Sequence, residues 1–203
     1  MPVSNDFARI GAPVRDFPFS AYNPVTGQFE TRSLGEYAGT WLVLFFYPAD
    51  FSFACPKELA EIADHYPKLR ELGVEVLSIS TDSPLAHLHW RTTEKLLDKV
   101  DFLMGSDQAG KLCHYFGAYD EERGVARRGT FVLNAEGVLV CTEMNFYNAG
   151  RSGAELVRRL EASLHFAGHG EDGCPLPAVQ QADPGAPAEG LSDMYARQSA
   201  DNS

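Results

Sequence analysis

One cysteine stands where the chain is predicted to pass from a buried strand into a helix. The strand is the apolar run WLVLFFY at 41–47, whose length and composition are typical of a strand covered on both faces. After a short loop come Cys55 and Pro56, and proline is favoured in the first turn of a helix. Unpaired N–H groups and the helix dipole favour an anion there, so a thiol at that point loses its proton more readily. The sequence therefore predicts a nucleophilic thiolate at Cys55, against the alternative of a buried structural cysteine.

The segment after Cys55 is predicted to be the helix that positions this thiol. Apolar residues recur in it at helical spacing, and Gly73 is a favourable stop. Pro67 lies inside the segment and predicts a bend or a break. The remaining patterns give the order strand–helix–strand–helix–strand–strand–helix, which a thioredoxin-like α/β sandwich needs. We expect a central mixed sheet flanked by helices, with an N-terminal hairpin inside residues 17–30.

Composition sets the domain organisation and the classes of partner. From residue 168 onward Gly, Pro, Ala and Asp dominate, and such a segment does not form a core of its own. We expect a domain at 1–167 and a C-terminal extension at 168–203. The net charge of −11 argues against nucleic acid and anionic membranes as main partners. No apolar run long enough for a membrane span, no secretory signal and no disulfide pattern among the four cysteines are visible, which favours the cytoplasm.

The loop before Cys55 carries a motif with a specific spacing. Residues 48–56, PADFSFACP, closely resemble the Pro-x-x-x-Thr/Ser-x-x-Cys motif of the peroxiredoxins. The stretch at 63–82, ADHYPKLRELGVEVLSISTD, looks like the alkyl hydroperoxide reductase C branch of the typical two-cysteine peroxiredoxins. The resemblance implies a thiol-dependent peroxidase that reduces hydrogen peroxide and organic hydroperoxides, in antioxidant defence and cell redox homeostasis. It implies no cofactor.

The resemblance also implies roles for residues near Cys55. Ser52 would hydrogen-bond the peroxide and the thiolate, and Pro48 would shield the pocket from water; ordinary loop chemistry is the alternative for both. Arg128 stands immediately before Gly-Thr-Phe, where the family places an arginine facing the thiolate. Its neighbour Arg127 would lie on the opposite face of an extended chain, in solvent.

Three further residues are matched to the surroundings of the pocket. Glu58 and Arg151 would form a supporting ion-pair network, with an ordinary exposed salt bridge as an equal alternative. Trp90 would lie near the site, although core packing is the stronger interpretation of it. The histidines do not form a metal set, because His87 and His89 are two residues apart on a helix and no other ligand stands at supporting spacing.

Cys174 is the match for the family's resolving cysteine. The resemblance implies that Cys55 becomes a sulfenic acid and that the partner's Cys174 condenses with it to an intersubunit disulfide. The sequence departs from the pattern here, with one extra residue before Cys174 and without the tryptophan expected after Cys-Pro. The alternative is a one-cysteine peroxidase resolved by an external thiol.

Two other classes of protein are alternatives to a peroxidase. A thioredoxin-type oxidoreductase needs two cysteines at the helix start, but Ser52 and Glu58 occupy the two positions that would complete the pair. A ring-forming, chaperone-like holdase on the same fold stays open. The resemblance implies a homodimer that assembles into a ring of five dimers. It is consistent with thioredoxin or a flavoprotein disulfide reductase as the electron donor.

Overall fold

The computed structural model describes residues 7–145 and 150–169. Nine strands and four helices alternate in it along the chain. The strands are β1 Pro18–Asn23, β2 Gln28–Ser33, β3 Trp41–Phe46, β4 Val74–Ser80, β5 Leu103–Ser106, β6 Tyr119–Asp120, β7 Val125–Ala126, β8 Gly129–Leu133 and β9 Leu139–Met144. The helices are α1 Cys55–Glu71, α2 Pro84–Thr93, α3 Lys111–Tyr115 and α4 Gly153–His169, with short 3-10 turns at Leu34–Tyr37 and Lys95–Leu97. Cys174 and all but the first two residues of the predicted extension lie outside the described residues.

A seven-stranded mixed sheet forms the centre of the domain, in the order β2-β1-β5-β4-β3-β8-β9. β3, β4 and β5 are parallel, because α1 and α2 carry the chain back between them. The hairpin β1–β2 adds to the β5 side and the hairpin β8–β9 adds to the β3 side, both antiparallel. The predicted thioredoxin-like α/β fold with an N-terminal hairpin is thereby confirmed.

The central strand β3 is buried along almost its whole length, as its composition predicts. Leu42, Leu44 and Phe46 alternate onto one face, where they join a cluster that includes Phe116 and Phe131. The loop that follows β3 starts at the edge of the sheet that the carboxyl ends of the parallel strands β3, β4 and β5 form. Ligands of open α/β sheets bind at this edge.

Helix α1 is not broken at Pro67, so the predicted break is wrong, while the alternative of a bend stays a prediction. The helix continues to Glu71 and ends before Gly73, whose φ is 74°. Buried residues stand on both sides of the proline, with Ile62 and Tyr66 before it and Leu69 after it. Packing of this face stabilises the helix more than one lost backbone hydrogen bond destabilises it.

Helix α2 starts as the sequence predicts. Ser83 accepts a hydrogen bond from the backbone N–H of Ala86 and Pro84 occupies the first turn. Among the described residues, no helix has the length and apolar character that a membrane span requires. The chain divides into a unit that ends at Ser163 and a second that begins at Leu164. The domain boundary at 167 and 168 stays a prediction.

Candidate active site

Cys55 is the first residue of α1, directly beyond the loop that leaves β3. Pro56 follows it in the first turn, where the missing N–H of proline has no cost. The residue is fully buried, and Cys55, Cys113 and Cys141 are free thiols among the described residues. The sulfur therefore stands at a helix N-terminus and away from bulk water, where the unpaired N–H groups favour an anion.

Arg128 brings a positive charge against this sulfur. Its Nη1 atom lies 3.5 Å from Cys55 Sγ, and its side chain is 5% exposed. β8 pairs antiparallel with β3 and aligns Gly129 with Phe46, so Arg128 reaches the end of β3 from which the loop departs. Arg127 is exposed, as the alternation of an extended chain predicts.

Glu58 ties the arginines together. It stands three residues after Cys55, one turn along the same face of α1, and its carboxylate binds Arg128 Nη1 directly. The other carboxylate oxygen accepts from Arg151, from the backbone N–H at 3.0 Å and from Nε at 3.2 Å. The alternative of an exposed salt bridge does not hold, because the side chains of Glu58 and Arg151 are 6% and 2% exposed.

Arg151 is fixed from several directions. Its Nη1 donates to the carbonyl oxygen of Gly129 at 2.9 Å, and its guanidinium lies 3.5 Å from the centroid of the Phe45 ring. Burial lowers the pKa of Arg151, and the Arg128 charge acts in the same direction, while Glu58 opposes both. The two guanidinium groups and one carboxylate leave a net charge of +1 beside Cys55. A thiolate would neutralise that charge without any further ion.

Ser52, unlike the charged residues of the site, is not held by a side-chain hydrogen bond among the described residues. Its Oγ atom is buried and has no hydrogen-bond partner among the described residues, so the expected bond to Cys55 is not formed. A buried hydroxyl without a partner is uncommon in a folded protein. Pro48 is half-buried at the start of the same loop, and its shielding role stays a prediction.

A cleft of about 250 Å³ opens beside this cluster. Phe53, Ala54 and Lys57 line one part of it, and the ion-pair network of Glu58, Arg128 and Arg151 lines another. Since Arg128 contacts both the cleft and Cys55 Sγ, a small molecule in the cleft meets the guanidinium next to the sulfur.

Residues 10–141 match the model of the AhpC/TSA family. This chain belongs to that family. Alkyl hydroperoxide reductase C from Staphylococcus epidermidis is 36% identical over 166 residues, which is 82% of this chain and 88% of the relative. The protein of the same name from Salmonella typhimurium is 36% identical with the same coverage.

Solved structures agree with the family assignment. Enterococcus faecalis AhpC superposes with a TM-score of 0.79 at 40% identity, over 83% of this chain and 100% of that one. The reduced 2-Cys peroxiredoxin of Plasmodium vivax gives a TM-score of 0.75 at 25% identity, over 79% and 84%. The family predicted from the sequence is confirmed by these findings.

Trp90 lies in the interior of this AhpC/TSA protein and touches the active-site loop. It is 1% exposed, as the core interpretation predicts. Its ring centroid lies 5.8 Å from that of Tyr47 and 6.2 Å from that of Phe51, the residue before Ser52. Trp90 thus supports the loop by ring packing.

Sequence reasoning missed a buried polar pair next to the loop. Asp50 bonds His87 Nδ1 at 2.8 Å, and both side chains are almost completely buried. The sequence pattern raises His87 only as a possible metal ligand, and the described residues contain no cluster of three or more metal-binding side chains. One signal was available: His87 stands three residues before Trp90, on the face of α2 that turns to the core.

Proposed function

We propose that this peroxiredoxin reduces hydrogen peroxide and organic hydroperoxides through Cys55. Its family supports a thiol-dependent peroxidase, an oxidoreductase that acts on peroxides. The observation that carries the assignment to Cys55 is the 3.5 Å approach of Arg128 Nη1 to Sγ. Among the described residues, Cys113 and Cys141 are the other free thiols. Burial raises the pKa of Cys113 far above its usual value, with the neighbouring Asp107 acting in the same direction, which keeps that thiol protonated and unreactive.

The proposed reaction is a displacement on oxygen. The Cys55 thiolate attacks the nearer peroxide oxygen, an S–O bond forms, and the O–O bond breaks. The sulfur is oxidised to a sulfenic acid, the peroxide is reduced, and the departing oxygen leaves as water or an alcohol after it takes up a proton. Arg128 stabilises the negative charge that moves from sulfur to oxygen. The free Ser52 hydroxyl supplies a hydrogen bond to the bound peroxide, and Pro48 limits the access of water.

The second half of the cycle restores the thiol. The Cys55 sulfenic acid and the partner's Cys174 condense, which forms a disulfide and releases water. Thioredoxin or a flavoprotein disulfide reductase then reduces the disulfide. The structural similarity to the 2-Cys peroxiredoxin of Plasmodium vivax supports the two-cysteine cycle. This part of the proposal includes a homodimer, a ring of five dimers, and the cytoplasm as the location.

One gel experiment tests the proposal. The reduced protein is treated with one equivalent of hydrogen peroxide and run without reductant beside Cys55→Ser and Cys174→Ser. A covalent dimer of the wild type, with both variants monomeric, supports the two-cysteine cycle. Peroxide consumption by Cys174→Ser at the wild-type rate with an external thiol, and no wild-type dimer, identifies a one-cysteine peroxidase. Peroxide consumption by Cys55→Ser overturns the assignment of Cys55.

A further inference from the structure

Asp50 is held at the centre of a buried hydrogen-bond network that the proposed reaction does not use. It lies in the loop between Pro48 and Ser52 and is 7% exposed. One carboxylate oxygen accepts from the Tyr47 hydroxyl at 2.8 Å, and the other lies 2.8 Å from His87 Nδ1. The loop is thereby connected to the carboxyl end of β3 and to α2.

The backbone of Asp50 is held as firmly as its side chain. Its N–H donates to Asp82 Oδ2 at 2.9 Å, and Ser80 Oγ donates to the same oxygen at 2.8 Å. Ser106 Oγ in turn donates to the Asp82 carbonyl oxygen at 2.6 Å. Asp82 thereby links the backbone of Asp50 to the ends of β4 and β5. Few conformations of Asp50 satisfy all of these bonds at once.

The two hydrogen-bond partners of the His87 ring restrict where its protons lie. Nδ1 faces the Asp50 carboxylate, and Nε2 lies 3.2 Å from the carbonyl oxygen of Gly105. Both neighbours are acceptors, whereas a neutral imidazole has a single N–H. With Nε2–H donating to Gly105, the bond between Asp50 and His87 requires one further proton, carried by either partner. That proton satisfies both members of the buried pair.

The residue after Asp50 adopts an unusual backbone conformation. Phe51 has a φ of 56°, and it is the one non-glycine residue with positive φ in the described part of the chain. The left-handed region is unfavourable for a residue with a side chain, and it persists where its surroundings determine it. Phe51 is 62% exposed, so the packing of its ring against Trp90 restrains this conformation less than the buried hydrogen bonds of Asp50 do. The fixed neighbour on its N-terminal side is Asp50.

Ser52 follows directly, with the buried hydroxyl that lacks a partner. We infer that Asp50 and His87 are positioning residues, which hold the left-handed turn at Phe51 and thereby aim the Ser52 hydroxyl at the peroxide. The inference rests on the proposed function of Ser52. Neither residue touches a reacting atom, and their effect on the rate passes through Ser52 alone.

The test compares Asp50→Ala with Ser52→Ala and with the double variant. The readout is the second-order rate constant of Cys55 with hydrogen peroxide, followed by intrinsic tryptophan fluorescence in a stopped-flow instrument. Each single variant is expected to lose about tenfold, the scale of one misplaced hydrogen bond. The double variant is expected to match Ser52→Ala within about twofold, because the two residues act as one unit. A further tenfold loss in the double variant overturns the inference.

Two more variants separate positioning from a purely structural role. Asp50→Asn can still accept from Tyr47 and can donate to His87 Nδ1, so it should restore most of the rate lost in Asp50→Ala. Tyr47→Phe removes the hydroxyl that donates to Asp50 and lies 3.4 Å from His87 Nδ1, but it keeps the ring beside Trp90. A loss of about threefold is expected, because the other restraints on Asp50 remain. If Asp50→Asn is as slow as Asp50→Ala, charge and not geometry is at work, and the inference fails.

Controls keep this test apart from that of the proposed function. Alkylation of Cys55 by iodoacetamide does not involve a hydrogen bond from the Ser52 hydroxyl to a peroxide. The alkylation rate should therefore stay the same in Asp50→Ala. An equal fall in alkylation and peroxide rates would place the effect on Cys55 itself and overturn the inference. Ser78→Ala removes a buried serine of β4 whose closest bond, to Leu103, is 3.5 Å long, and it should leave both rates unchanged. If the wild type does not react with peroxide at all, the proposed function fails instead.

Discussion

The Arg128 guanidinium lies 3.5 Å from the Cys55 sulfur and at the same time binds the Glu58 carboxylate. Glu58 comes from the same helix as Cys55, one turn later, so a single helix positions both partners of the arginine. The spacing between the sulfur and the carboxylate is therefore set within α1, and Arg128 bridges them from the segment that precedes β8.

Arg128→Lys tests how much of the reactivity comes from this contact. A lysine keeps the charge, but its compact ammonium on a flexible stem does not reproduce the rigidly placed Nη1 that donates to both the sulfur and the carboxylate. We expect the second-order rate constant with hydrogen peroxide to fall about 10- to 100-fold, the range of one charge-assisted hydrogen bond. Competition with a reference peroxidase for limiting peroxide measures it.

Arg127→Lys is the matched control for that substitution. It is the adjacent residue, its side chain is exposed, and the change in chemistry is identical. We expect its rate to equal that of the wild type. Equal rates for the two variants would show that the arginine beside Cys55 does not assist the reaction.

Glu58→Gln should cost more stability than any exposed charge in the domain. It leaves Arg128 and Arg151 buried together, without their shared counter-charge. Removal of one partner of a buried ion pair typically costs about 3–5 kcal/mol, and we expect a loss of this size in the free energy of unfolding in urea. Asp64→Asn, which breaks the exposed pair with Lys99, should cost less than about 1 kcal/mol. Similar losses in both variants would contradict the network.

The sequence predicts the parts of the site that depend on local pattern. Cys55 at a helix start and Arg128 on the buried side of an extended segment follow from strand and helix periodicity together with the family motif. The pair of Asp50 and His87 does not, because 37 residues separate them. Their contact requires the pairing of β4 with β5 and the docking of α2, which periodicity does not specify. The continuity of α1 at Pro67 also depends on packing. Local propensity alone predicts that the helix can break there, and it does not break.

Tyr37 should make the fold sensitive to alkaline pH. Burial raises the pKa of Tyr37 to about 12, with the nearby Glu75 and Glu36 adding to the effect and Arg32 opposing it. An unfolded tyrosine titrates near pH 10, so between about pH 10 and 12 the unfolded state loses a proton that the folded state keeps. Stability therefore falls as pH rises, by up to about 1.4 kcal/mol per pH unit for this one group.

Tyr37→Phe removes this contribution and should flatten the pH dependence above pH 10. Urea midpoints at pH 8, 10 and 11 for both proteins measure the difference. The two proteins should respond in parallel up to pH 9 and diverge above it. The stability of Tyr37→Phe still falls to some extent as pH rises, because burial and Glu75 also raise the pKa of Tyr66. Parallel curves up to pH 11 would show that Tyr37 titrates normally in the folded protein.

Ser52→Ala should raise stability while it lowers activity. The Ser52 hydroxyl is buried and has no hydrogen-bond partner in the part of the chain that the structure describes, and such a group costs about 1–3 kcal/mol relative to an apolar atom of similar shape. Its removal is expected to increase the free energy of unfolding by about 1 kcal/mol. The peroxide rate is expected to fall, because in the proposed reaction the same hydroxyl donates to the bound peroxide.

Ser52→Thr is the informative companion, because it keeps the hydroxyl and adds a methyl group that restricts the rotamer. It should retain the peroxide reactivity that Ser52→Ala loses. Ser78→Ala serves as the control for stability, since that serine already has an acceptor in the Leu103 carbonyl and its removal gives no gain. Thermal unfolding measures the stability of each variant, and stopped-flow kinetics on the same samples measures its rate with peroxide. A loss of stability in Ser52→Ala would mean that the hydroxyl makes a bond in the resting enzyme, and a hydroxyl already bonded is not reserved for peroxide.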